Sequence, residues 1–254
     1  MLLTNKTAVV FGAGGAIGSA VARAFAAEGA RLFLSGRALA KVEALAQEID
    51  AAGGKAFASR VDALDEGGID EHVAAVVRDA GRIDVMMNAI GFRPVQGVPL
   101  VDLAAEHFQR PITTWTSSQF LTARAVARPM MAQRSGVILT LSASPARLAV
   151  ALTGGFGVAC AAIEGLTRTL AAELGPHGVR AVCLRPHRIE DAMPPEADLP
   201  MAEPEFRAFL EGMTLIKRLP TLAGVARTAA FLASDHAAAI TGTVANLTGG
   251  ASVD

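Results

Sequence analysis

Short β-branched runs and helical segments take turns along almost the whole chain. "KTAVVF" (6–11) reads as a buried strand ending at Gly12. "AIGSAVARAFAAEG" (16–29) then places Ile17, Val21, Ala24 and Phe25 at helical spacing, with Gly29 as the stop. "RLFLS" (31–35), "KAFASRV" (55–61) and "RIDVMMN" (82–88) read as further strands. Helices over 38–54 and 71–81 separate them. The pattern resumes with "GVILTLS" (136–142), a helix from about 156 to 174, "VRAVCL" (179–184), a helix near 222–234 and "GTVANL" (242–247). Strict βαβα alternation predicts a parallel sheet with helices on both faces, joined by right-handed crossovers. The fold class is therefore α/β, doubly wound, in a single domain over residues 1–254.

Residues 92–118 fit the alternation least well. "FRPVQGVP" reads as a loop, followed by a helix to about Gln133. Pro111 and the β-branched, polar "ITTWTSS" (112–118) predict a kink or rebuilt turn in its early part.

Apolar residues make up 52% of the 254, enough for one large core. The longest mostly apolar stretch, Leu148 to Ile163, is broken by Thr153, Gly154, Gly155 and Gly157, so no membrane span is expected. The surplus apolar surface reads as a buried helix or a subunit interface. "MLLTNKTAVVFG" runs straight into a strand and does not read as a leader, so a cytoplasmic location is expected. A net charge of −1 without long charge runs gives no reason to expect nucleic acid or an acidic membrane as partner. Cys160 and Cys183 have neither metal-ligand spacing nor a disulfide framework, and no metal site is expected.

"FGAGGAIG" joins the first strand to the first helix. Glycines there let the backbone turn tightly and approach a pyrophosphate, while the helix N-terminus offers free N–H groups and partial positive charge. At the end of the second strand, "SGR" places Gly36 where an acidic residue would hold the adenosine ribose of NAD. Arg37 follows, and arginine pairs well with a 2′-phosphate, so NADP(H) is favoured over NAD(H).

With these residues in place, the chain resembles the short-chain dehydrogenase/reductase family over nearly its whole length, a family with a Rossmann-like fold. The glycine turn is similar to that family's TGxxxGxG, with Phe11 for Thr and Ala16 for the middle Gly. Asp62 in "RVDALD" matches the acidic residue that contacts adenine, and "NAIG" (88–91) resembles NNAG with Asn88 retained. "ITGTVANLTGG" (240–250) resembles the closing strand, with Thr248 where Asp is usual. The resemblance implies cofactor contacts from Gly12, Gly14, Ile17, Gly18, Arg37, Asp62, Asn88 and Ile189.

The same resemblance implies an Asn-Ser-Tyr-Lys tetrad, in which a lysine-activated tyrosine exchanges a proton with the substrate oxygen. Aligning "FGVAC" on YxxxK puts Phe156 at the tyrosine and Cys160 at the lysine. Counting back puts Ala143 at the serine, with Ser142 and Ser144 one residue to either side, and Trp115 falls at the asparagine. The chain contains no tyrosine at all. Phenylalanine has no proton to give, and general acid–base catalysis contributes about 10²–10⁴ in rate. The size of Trp115 suggests that it fills the pocket.

Stand-ins are available in "LRPHRIEDAMP" (184–194), which matches the family's loop over the nicotinamide. There His187 and Asp191 replace the usual Gly and Thr, and Arg185, Arg188 and Glu190 add charge. The competing and favoured expectation for this segment is a solvated charged loop. Cys160, among alanines and without a nearby base, reads as a small buried thiol.

Two functions follow. The favoured one is a tetrad-deficient subunit or nucleotide-responsive scaffold, silent as a standard dehydrogenase. It would act as a homodimer, a homotetramer or a hetero-oligomer with an active relative, pairing through helices 112–133 and 156–174. The alternative is an oxidoreductase or non-redox enzyme (elimination, isomerisation, cyclisation) with atypical residues, Ser144, His187 and Asp191 among them.

Overall fold

The structure is a computed structural model that describes residues 1–192 and 202–253. Seven parallel strands form one sheet in the order β3-β2-β1-β4-β5-β6-β7. They are β1 (Thr7–Phe11), β2 (Arg31–Gly36), β3 (Lys55–Arg60), β4 (Val85–Asn88), β5 (Gly136–Leu141), β6 (Val179–Pro186) and β7 (Thr243–Leu247). The helices are α1 (Ala16–Ala27), α2 (Leu39–Ala51), α3 (Glu66–Ala80), α4 (Ala105–Gln133), α5 (Phe156–Leu174), α6 (Glu203–Gly212) and α7 (Leu222–Ala233).

The strand period of two sorts the core onto two faces. In β1, Ala8 and Val10 pack with Val21 and Phe25 of α1, Val42 and Leu45 of α2, and Ala229 and Ala230 of α7. The alternate residues Val9 and Phe11 pack on the other face with Ile69 and Val73 of α3, Val126 and Met130 of α4, and Leu170 of α5. Because every strand is parallel, all C-terminal ends share one edge. The order reverses between β1 and β4, the position at which ligands of such sheets bind.

Three elements depart from the sequence expectation. α4 is one uninterrupted helix from Ala105 to Gln133, with Pro111 and Pro129 inside it, and there is no rebuilt turn. The hydroxyls of Thr113 and Thr116 donate to the carbonyls of Gln109 and Ile112, which satisfies within the helix the polar groups that argued against it. α3 begins at Glu66, five residues before the expected start, because Gly67 and Gly68 conceal its first turn in a propensity reading. α6 follows the nicotinamide-side loop and has no counterpart in the sequence reading.

Candidate active site

The glycine turn is built for close approach. Gly12 has φ +77°, and a Cβ there would sit 2.8 Å from the backbone of Ala89 and Ile90. A Cβ on Gly18 would come within 2.3 Å of the Gly12 carbonyl oxygen. The N–H groups of Gly12 and Ala13 both donate to the Ser35 carbonyl, which ties the turn to the end of β2. Gly15 caps α1 without a side-chain bond, and no acidic residue occupies the first turn, so the helix N-terminus keeps its positive end free. Gly14 is exposed, Gly18 buried and Ile17 half-buried beside them.

Arg37 is exposed immediately after β2. Lys41 is on the first turn of α2, and a Cβ on Gly14 would meet the Lys41 Cβ at 3.3 Å. Lys41 has no counterpart among the residues expected to touch the cofactor, because Arg37 lies in the turn before α2 and no helical spacing links the two. Asp62 is exposed past β3, where its Oδ1 accepts from the Leu64 N–H at 3.1 Å.

Asn88 is wholly buried and fully engaged. Its Nδ2 donates to the Ser118 carbonyl and to Thr122 Oγ1, and its Oδ1 accepts from Gln119 Nε2 and the Ile90 N–H. It therefore fastens the loop after β4 to α4. Trp115, a turn before Gln119, donates its Nε1 proton to the Ile90 carbonyl at 2.6 Å. Its indole stacks on Phe156, the first residue of α5, with centroids 5.2 Å apart and planes 15° from parallel. Cys160 packs with Phe156, fully buried beside Ala159 and Ile163 and covered by the half-buried Ala143. Burial pushes its thiol up to about 12, with the Ala143 backbone opposing more weakly. Cys183 is displaced in the same direction, again by burial. A neutral thiol there is neither nucleophile nor cation.

The end of β6 and the segment after it are where the expectation of a solvated, charged loop is corrected. Arg185 is 2% exposed and His187 is 7% exposed, and Ile189 is buried. Arg185 is carried inward by the strand's pleat to a partner of opposite charge. Its Nε donates to Glu164 Oε1 at 2.7 Å, and Ser142 Oγ donates to the same oxygen at 3.0 Å. His187 Nδ1 is 2.8 Å from Ser144 Oγ, a hydrogen bond between the C-terminal ends of β6 and β5. Its Nε2 is buried without a hydrogen-bond partner among the described residues. Burial lowers the His187 pKa, the Arg188 charge lowers it further, and the Leu210 backbone on α6 opposes both. Asp191 sits apart from this pair. Its Oδ1 accepts from the Leu222 N–H at 2.7 Å and so caps the start of α7. Residues 193 and 194, the end of the expected loop, lie outside the described residues.

Residues 12–252 match the family model described as enoyl-(acyl carrier protein) reductase. L-rhamnose 1-dehydrogenase (NAD(P)(+)) of Azotobacter vinelandii is 32% identical over 98% of this chain and 98% of its own. The chain belongs to the short-chain dehydrogenase/reductase family. A 3-oxoacyl-[acyl-carrier-protein] reductase of Chlamydia muridarum is 29% identical over 98% of both chains. Among solved structures, a short-chain type dehydrogenase/reductase from Mycobacterium ulcerans superposes with a TM-score of 0.90 at 27% identity, covering 99% of this chain and 91% of that one. NAD+-bound xylitol dehydrogenase superposes at 0.87 with 25% identity, covering 98% of each. Short-chain dehydrogenases bind a nicotinamide dinucleotide in the crevice between β1 and β4. The residues here fit one, because the cradle at Gly12 and Gly18 has no room for a Cβ and the α1 N-terminus is uncapped by charge. Among the described residues no helix is long and apolar enough to cross a membrane.

Proposed function

We propose that the protein is an NADP(H)-binding oxidoreductase of this family whose proton transfer does not run through a phenol. The observation that carries the cofactor choice is the close approach of Lys41 to Gly14, with the exposed Arg37 following Gly36 at the end of β2, two cations and no carboxylate at the place where the adenosine ribose lies in such sheets. The glycine cradle and α1 would hold the pyrophosphate, and Asp62 would border the adenine. The dinucleotide, when bound, supplies the hydride chemistry. Trp115, Ala143, Phe156 and Cys160 stand at the four tetrad positions, so the acid or base must come from elsewhere in the chain.

The test is a titration of the purified protein with NADPH and NADH, followed by assays with NADP+ on the alcohols named for similar proteins: L-rhamnose, xylitol, and gluconate, from a gluconate 5-dehydrogenase of Gluconobacter oxydans that is 27% identical over 99% of this chain and 96% of its own. Binding of NADPH at least tenfold tighter than NADH, with turnover of one alcohol, is the expected result. Equal affinity for the two would remove Arg37 and Lys41 from the argument, and binding of neither would sink the cofactor reading.

A second reading is favoured by the Trp115–Phe156 stack, which fills the place of the phenol with apolar surface. In it the chain is a dinucleotide-responsive partner subunit, in a homo-oligomer or paired with an active relative. NADPH binding without turnover, combined with a rise in a co-purified relative's kcat, distinguishes it.

A further inference from the structure

Ser144 lies one residue from the aligned tetrad serine, and its partner His187 has no counterpart in the tetrad. The couple joins two side chains that are each more than nine-tenths buried, 43 residues apart in sequence, at the ends of neighbouring strands. Burying a hydroxyl and an imidazole costs free energy unless both are satisfied. Nδ1 and Oγ satisfy each other, but Nε2 is left over. A structural role would be met more simply by apolar side chains, as at the buried Cys183 on β6, four residues before His187.

We propose that Ser144 and His187 form a proton relay for alcohol oxidation, with Ser144 Oγ as the group that meets the substrate hydroxyl. The proposal rests on the dinucleotide reading above. Nε2 has no hydrogen-bond partner among the described residues, so the relay takes the tautomer protonated there, in which Nδ1 is the acceptor and Ser144 the donor. The balance is then direct. The substrate O–H bond breaks and its proton passes to Oγ, while the Ser144 proton passes to Nδ1. The carbon that bore the hydroxyl gives up its hydride to the nicotinamide dinucleotide and becomes a carbonyl. The extra proton leaves for solvent when the ring returns to its neutral form. A ring held neutral by burial and by Arg188 is in the form that accepts this proton.

Two measurements test it, one without turnover. In the first, imidazole ¹⁵N correlation spectra of protein labelled at histidine report the His187 tautomer. The Nε2–H form is expected, with a shift at Nδ1 on Ser144→Ala; a ring protonated at Nδ1 would overturn the relay. In the second, Ser144→Ala and His187→Gln are compared with the unmodified protein for NADPH affinity, melting temperature, and oxidation of L-rhamnose, gluconate and xylitol with NADP+. Expected is a 10²–10⁴-fold loss of kcat in each variant, with NADPH affinity within twofold. His187→Ala with added imidazole guards against a variant that only loosens the fold, and partial recovery is expected. Turnover that survives both substitutions overturns the relay, as does NADPH binding without oxidation of any of the three alcohols. Failure to bind NADPH at all overturns the dinucleotide reading itself and takes the relay with it.

Discussion

The Trp115 indole lies nearly parallel to the Phe156 ring at 5.2 Å, and its Nε1 proton goes to the Ile90 carbonyl beside the glycine turn. One side chain thus joins α4, the start of α5 and the loop after β4. Removing it opens a large cavity and leaves a carbonyl without its donor. Trp115→Ala should cost about 3–5 kcal/mol, read as a lowered urea midpoint. Trp115 is also the sole tryptophan of the chain. Its emission should be blue-shifted in the folded protein and quenched by NADPH, because Ile90 adjoins the Gly12 cradle. A red-shifted, unquenched emission would contradict this placement.

Arg37 and Lys41 are expected to discriminate between cofactors. Replacing both with alanine should weaken NADPH at least tenfold and leave NADH within twofold, because only the 2′-phosphate needs two cations. Fluorescence titration of the double variant measures both. An equal loss for the two dinucleotides would mean that the cations act on the shared pyrophosphate.

Much of this arrangement is legible in the sequence, and for identifiable reasons. The sheet follows from runs such as "TAVVF" and "VRAVCL", which are buried on both faces and therefore continuous. The cradle is legible because only glycine fits at Gly12 and Gly18. The chemistry after β6 was not, because sequence shows charge and not burial. Arg185, His187 and Glu190 look alike as a polar run, yet Arg185 and His187 turn inward to Glu164 and Ser144. Neither partner is near them in the chain, at 21 and 43 residues' distance.

Cys160 and Cys183 should resist alkylation in the folded protein. Burial raises both thiols, Cys160 to about 12, so the thiolate is scarce at pH 8 and iodoacetamide has no path to it. Mass spectrometry should show no adduct after an hour in buffer and two in 6 M guanidinium. A single fast adduct in buffer would mean that α5 opens around Cys160.

Glu164 and Arg185 should be unequal to replacement one at a time. Each is nearly excluded from water, so removing one partner leaves an uncompensated charge. Arg185→Met should cost about 3–5 kcal/mol, and Glu164→Gln should also destabilise, while the pair Glu164→Gln/Arg185→Met should recover part of the loss. Urea denaturation of the four proteins completes the cycle. Additive losses would show that the two charges do not depend on each other.

His72 should dominate the acid limb of stability. It is buried on α3 with its ring edge-on to Phe11 at 5.7 Å, and burial pushes its pKa from 6.5 down to about 4. In the unfolded chain it titrates near 6.5, so between pH 6.5 and 4 the unfolded state binds more protons. Stability from this group is therefore complete above about pH 6.5 and is lost as pH falls toward 4. The loss is on the order of 3 kcal/mol, from 1.36 kcal/mol for each unit of displacement. His187 is lowered too, so its contribution has the same sign. His72→Phe keeps a ring against Phe11 and removes the proton site. Its urea midpoint should fall less steeply between pH 7 and 4.5 than that of the unmodified protein. Parallel curves for the two proteins would mean that His72 is protonated inside the fold, with a partner on α3 or β1 that the described contacts do not include.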